Sequence, residues 1–262
     1  MGEEGNLKKM RTVHGAVVEY YLPIGHHEIA MNPLIGQSIR IEYTGEIHCI
    51  RCGRKTSKSF AQGYCFPCFK TAPETEECVL HPERCRAHEG VARDMKYARE
   101  HCLIEHVVYL SVTNDLKVGV TRNTQVPVRW IDQGAVQAIE LVRTPNRYTA
   151  GAIEVALKQH LKDKTNWRAM LKNEVVFAED LQKKKGEVLR LLSGSYRVAD
   201  DHITTIRYPV EQYPETPRSL TLEKEPVIEG ELTGIKGQYL IFRDGGVINI
   251  RKYGGYRVRI SG

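Results

Sequence analysis

Four cysteines in the run CIRCGRKTSKSFAQGYCFPC repeat the spacing C-x2-C-x12-C-x2-C; they are Cys49, Cys52, Cys65 and Cys68. Each C-x-x-C pair can turn two thiolates toward one point, and two such knuckles close a tetrahedron around Zn²⁺. Gly53 and Gly63 fall where the tight turns of such a ribbon are needed. Zinc is therefore the expected occupant. The remaining cysteines are Cys78, Cys85 and Cys102, and His88 stands at C-x-x-H spacing from Cys85. These four residues make a candidate second zinc site of Cys₃His type, with His81 and His101 as rival nitrogen ligands.

A closed four-ligand site leaves no open position for water or substrate, so both sites are expected to be structural. Metal binding would then supply folding energy to a segment too polar to fold unaided. Arg51, Arg54, Lys55 and Lys58 give the ribbon a basic face that can touch phosphates or simply face solvent.

The chain has 262 residues, a formal net charge of +6, and an apolar fraction of 41%. This excess of positive charge permits a nucleic-acid partner without requiring one. No run approaches the ~18 apolar residues of a membrane helix, so no membrane partner is expected. The opening MGEEGNLKKMRT has no apolar segment of the secretory kind, and Asn6 stands where a myristoylation signal needs Ser or Thr. A cytoplasmic location follows as the expectation. There, clustered cysteines hold metal more often than they form disulfides.

The elements that must carry these residues suggest an α+β, multidomain chain. Residues 1–48 read as an N-terminal β segment, with strand alternation in VHGAVVEYYL and QSIRIEY. Residues 49–103 form the zinc-binding module. Residues 104–200 form a central α/β domain, and 201–262 form a linker and a small C-terminal β domain. That last segment alternates in VIEGELTGI, GQYLIF, GVINI and YRVRI, so the two ends can share one sheet. The basic, tyrosine-rich RKYGGYRVR suits either a phosphate-and-stacking surface or ordinary aromatic packing.

In the central region, VVYLSVTNDLKVGVTRN spells two strands around a turn at Asn114 and Asp115. A short helix follows, with Pro127 in its first turn, Arg129 and Trp130 along it, and Gly134 ending it. QAIELVR reads as a strand. The next segment spaces Ile153, Leu157 and Leu161 as one helical stripe, with Glu154 beside it. A further helix is expected over Asp180–Leu192.

This order resembles the GIY-YIG nuclease domain, in which a hairpin carries one motif per strand, an Arg lies on the next helix, and a Glu lies on a later one. Val107-Val108-Tyr109 stands for the first motif and Lys117-Val118-Gly119 for the second. Arg129, Glu154 and Asn166 stand for the family's arginine, glutamate and asparagine, and the match covers about residues 106–171. The resemblance implies a Glu154-held Mg²⁺ or Mn²⁺ at a scissile phosphate, with Arg129 neutralising developing charge and Tyr109 positioning water. Lys117 departs from the pattern, because a tyrosine, commonly taken as the general base, normally stands there. A lysine serves as a base only if its pKa is strongly depressed; otherwise it binds phosphate. Structural readings stand beside these. Glu154 can pair with Lys158 four residues on, and Arg129 can pair with Asp132 or Glu154.

The chain as a whole also resembles an uncharacterised family, domain of unknown function 2797, in CGRKTSKSFAQGYCFPCF, LKVGVTR, RWIDQGA, DKTNWRAML, GIKGQYLIF and NIRKYGGY. That resemblance implies no activity. The function expected is a zinc-dependent nucleic-acid-binding protein on a GIY-YIG-like fold. A metal-dependent endonuclease acting on DNA or RNA is the alternative, and a zinc-ribbon scaffold for a protein partner is the second alternative.

Overall fold

The computed structural model describes residues 2–161, 164–194 and 196–262. It is a mixed α/β structure containing several sheets. The chain divides into two compact units. One comprises Met1–Lys70, Trp167–Asn173 and Ile206–Gly262; the other comprises Thr71–Asn166 and Glu174–Thr205. Each cysteine cluster belongs to a different unit.

In chain order the described elements begin with strands β1 (Glu3–Asn6), β2 (Arg11–Val13), β3 (Glu19–Ile24), β4 (His27–Ala30), β5 (Ser38–His48) and β6 (Lys55–Thr56). Helices α1 (Phe66–Thr71) and α2 (Met95–His101) follow. The middle of the chain holds β7 (His106–Val112), β8 (Leu116–Arg122), α3 (Val128–Asp132), β9 (Gln137–Thr144), α4 (Arg147–Leu157), α5 (Trp167–Leu171) and α6 (Leu181–Leu189). The last elements are β10 (Arg197–Val198), β11 (Ile203–Thr205), β12 (Arg218–Ser219), β13 (Val227–Lys236), β14 (Tyr239–Phe242), β15 (Gly246–Asn249) and β16 (Tyr256–Ser261).

The first unit is β-rich. Its larger sheet runs β1-β16-β5-β13-β14-β15-β12, with β6 also on β5, and a smaller sheet runs β2-β3-β4. The two ends of the chain therefore pair directly. Ile41 of β5 faces Ile260 on one side and Ile228 on the other, and all three are buried. Alternation also shapes the smaller sheet, where Tyr20, Leu22 and Ile24 of β3 turn inward. Helix α5 docks Met170 and Leu171 against Ile241 and Val247. The tyrosines of RKYGGYRVR are not a stacking platform. Tyr253 and Tyr256 are buried, their rings meet edge to face, and Tyr256 donates to Glu223 at 2.6 Å.

The second unit follows the element order read from the sequence: hairpin β7–β8, helix α3, strand β9, helix α4, and later α6. Its sheet runs β10-β9-β7-β8, with β11 also on β9. Strand β7 is buried along its whole length because both faces are covered. Val108, Leu110 and Val112 face a core that includes Ala150, Ile153 and Leu157 of α4 and Leu181 and Val188 of α6. On the opposite face the Tyr109 ring meets the Trp130 ring of α3 edge on. Asn146 caps α4 by accepting from the Thr149 N–H, and Asp180 caps α6 by accepting from the Lys183 N–H. Gly134, at φ +74°, ends α3, as its position in the sequence predicts.

Candidate metal centres and a polar pocket

The sulfurs of Cys49, Cys52, Cys65 and Cys68 all lie within 4.8 Å of one another in the first unit. Local backbone geometry explains the convergence. The Gly53 N–H donates to the Cys49 carbonyl, and the Cys49 N–H donates to the Arg54 carbonyl. The Ile50 N–H donates to the Gly63 carbonyl, which ties one knuckle to the other. Gly53 holds φ +70°, a conformation that other residues rarely adopt. Burial alone would raise the Cys49 thiol, but the backbone N–H groups of Cys65, Cys52 and Arg51 outweigh it and bring the pKa down to about 6. Burial, and then hydrogen bonding with Cys65, Cys52 and Cys49, pushes Cys68 up to about 12. All four would ionise against Zn²⁺. The donor set fits the ion.

A second group, Cys78, Cys85 and Cys102, lies in the second unit, and all three residues are buried. Hydrogen bonds from Cys102 and Cys78 hold Cys85 down at about 2, while the same network raises Cys78. Arg147, the first residue of α4, binds this cluster to the helix. Its Nη1 donates to the Cys78 carbonyl at 3.2 Å, its Nη2 to the His101 carbonyl at 3.1 Å, and its N–H to the Cys102 carbonyl at 2.8 Å. The predicted fourth donor, His88, lies outside the group. Its ring stacks on Tyr148 at 4.4 Å and it faces Glu89. Both clusters can hold a metal ion such as Zn²⁺.

Three of the five residues read as a nuclease set line one pocket of about 210 Å³ in the second unit: Tyr109, Arg129 and Glu154. Tyr109 stands opposite Gly119 in the β7–β8 ladder. With no side chain at 119, the tyrosine ring extends over the strand, and its hydroxyl donates to Gln133 Oε1 at 2.9 Å. Burial raises the Tyr109 pKa, and Arg129 beside it only partly offsets this, so the hydroxyl stays protonated. Glu154 is 9% exposed and faces Lys158 at 3.5 Å, as the i,i+4 spacing allows. Val79, Leu80 and Pro82 form the pocket's rim, and Leu80 is 82% exposed. The cysteine loop thus shapes the pocket. Gly151 of α4 has no side chain where the Pro82–Glu83 backbone crosses, and this lets the loop sit against the helix.

The other two residues of the set lie elsewhere. Lys117 is buried and donates to Thr165 Oγ1 at 3.0 Å. Asn166 is exposed, and its N–H donates to Asn114 Oδ1 at 3.3 Å. Neither lines the pocket. Gln133 does line it and was not singled out from the sequence. It lies four residues after Arg129, and that helical spacing was the signal available.

These features define a mixed α/β protein that carries two cysteine clusters able to hold metal. Among the described residues, no helix is long and apolar enough to cross a membrane. The family model described as "Protein of unknown function (DUF2797)" matches residues 36–258, and the chain belongs to that family. No curated protein and no solved structure matches the chain.

Proposed function

We propose that this chain is a zinc-dependent nucleic-acid-binding protein whose second unit is a GIY-YIG-like domain that grips a phosphodiester in the Tyr109–Arg129–Glu154 pocket. The observation that carries the proposal is the convergence of those three side chains, far apart in sequence, around one polar pocket. The element order β7–β8–α3–β9–α4 and the pairing of Tyr109 with Gly119 support the same reading. Arg129 and Lys158 supply cations for a phosphate, and the Tyr109 and Gln133 side chains supply hydrogen-bonding groups. The zinc sites hold the scaffold, and Cys78 and Cys85 bracket the loop that rims the pocket.

Metal-dependent cleavage of DNA or RNA is the second reading. It is favoured by the buried Glu154 carboxylate, which lines the same pocket as Arg129 and is able to hold Mg²⁺ or Mn²⁺. Three features weigh toward recognition instead. Tyr109 stays protonated, Lys117 is engaged with Thr165 away from the pocket, and Lys158 sits at the carboxylate that would bind the cation.

Zinc-loaded wild type and Glu154→Ala are incubated with labelled single-stranded, duplex and structured nucleic acids, with Mg²⁺ or Mn²⁺ present. Binding by both proteins without cutting is the expected result. Cutting by wild type that vanishes in Glu154→Ala would establish the hydrolase. Neither binding nor cutting would leave the ribbon as a scaffold for a protein partner.

A further inference from the structure

Three thiols do not complete a tetrahedral zinc site, and the second cluster needs a fourth donor. We propose that His106 supplies it through Nε2, making a Cys₃His site of Cys78, Cys85, Cys102 and His106. This inference rests on the reading that the second cluster binds metal.

His106 opens β7 four residues beyond Cys102 in the chain, and it is 2% exposed. Its Nδ1 lies 2.8 Å from the Ile104 carbonyl. A carbonyl oxygen only accepts, so Nδ1 carries the ring proton and Nε2 carries the free lone pair. That Nε2 is fully buried with no hydrogen-bond partner. A buried nitrogen of this kind is costly unless something binds it. A ring whose far nitrogen donates to a backbone carbonyl is also the usual arrangement of a metal-ligating histidine, because the carbonyl fixes tautomer and orientation.

Position and charge agree with this assignment. With its proton on Nδ1, the ring presents a neutral Nε2 lone pair, as ligation requires. Three thiolates on Zn²⁺ leave one net negative charge. The buried Arg147 guanidinium, 3.8 Å from the Cys78 sulfur, offsets it. Among the rivals His81, His88 and His101, none has a buried ring nitrogen without a partner, the feature that sets His106 apart. The Nε2 atom stands outside the 4.8 Å group formed by the sulfurs, so ligation requires the ring and the cysteine loop to draw closer. Binding releases the remaining thiol protons to solvent, and Nε2 has none to lose.

The test uses the full chain loaded with zinc, with metal content measured per chain and the Co²⁺-exchanged spectrum recorded. Wild type and His88→Ala are expected to hold about two ions, and His106→Ala and Cys85→Ser about one each. The cobalt spectrum of His106→Ala should be that of a Cys₄ site alone. About two ions in His106→Ala, with an unchanged spectrum, would overturn the assignment while leaving the second site intact. About one ion in wild type, or no loss in Cys85→Ser, would overturn the underlying reading that this cluster binds metal. If His106→Ala does not fold, ¹¹³Cd-loaded wild type decides the matter. Scalar coupling from cadmium to the ring protons of His106 supports the proposal, and coupling to another histidine or to none refutes it.

Discussion

Tyr109 and Gly119 face each other across the β7–β8 ladder, and a Cβ at position 119 would lie 2.6 Å from the tyrosine hydroxyl oxygen. The glycine is what lets the ring cross the strand and deliver its hydroxyl to Gln133 and the pocket. Gly119→Ala must therefore move the ring or the strand, at a cost of about 1–3 kcal/mol. The expected outcome is a matching loss of stability in denaturant unfolding, together with weaker nucleic-acid binding. Wild-type stability and binding in Gly119→Ala would show that the ring has room to spare.

Gly151 makes an opposite-sign test of a common rule. On an exposed helix face, Gly→Ala stabilises by roughly 0.5–1 kcal/mol. Here the added methyl would meet the Pro82–Glu83 backbone, which has no flexible end to yield. Gly151→Ala is expected to destabilise by about 1–3 kcal/mol and to loosen the loop that carries Cys78 and Cys85. Faster zinc release from the variant to a chelator is the accompanying readout.

Lys236 is fully buried in the first unit, donates to Asn173 Oδ1 at 2.8 Å, and lies near the rings of Tyr208 and Tyr213. Burial lowers its pKa from 10.5 to about 8. Between those values the unfolded chain binds a proton that the folded chain does not, so this residue makes stability rise with pH from about 8 to 10.5. Below pH 8 the full penalty applies, on the order of 3 kcal/mol. Lys236→Met should lack that rise, and the stability difference between the two proteins, measured across the window by denaturant unfolding, should change by up to that amount. A constant difference would mean that Lys236 titrates normally.

Much of this was readable from spacing. The C-x2-C pairs place four sulfurs together because each knuckle is a local turn, and the helix cap at Asp180 and the stop at Gly134 are equally local. The pairing of the chain's two ends through Ile41, Ile228 and Ile260 was open as a reading, since both ends alternate, but the register depends on long-range packing. Tyr256 stands between Gly255 and Arg257 in a polar run, yet it is buried; its Glu223 partner lies 33 residues away, so the pairing leaves no local trace. His88 matched a ligand spacing and still turned to Tyr148 instead. His106 hid in a strand, where its periodicity reads as core. Its orphaned nitrogen is visible only once the fold has buried it.

The central claim is that the Tyr109–Arg129–Glu154 pocket binds nucleic-acid phosphate, and the most direct measurement is binding of labelled single-stranded, duplex and structured DNA and RNA across a salt series by zinc-loaded wild type and Arg129→Ala. Loss of a charged hydrogen bond to phosphate costs roughly 1.5–3 kcal/mol, so Arg129→Ala should bind about tenfold or more weakly. Its salt slope should fall by about one phosphate contact. Binding of unchanged strength and slope in Arg129→Ala, or no binding by wild type at low salt, would contradict the account.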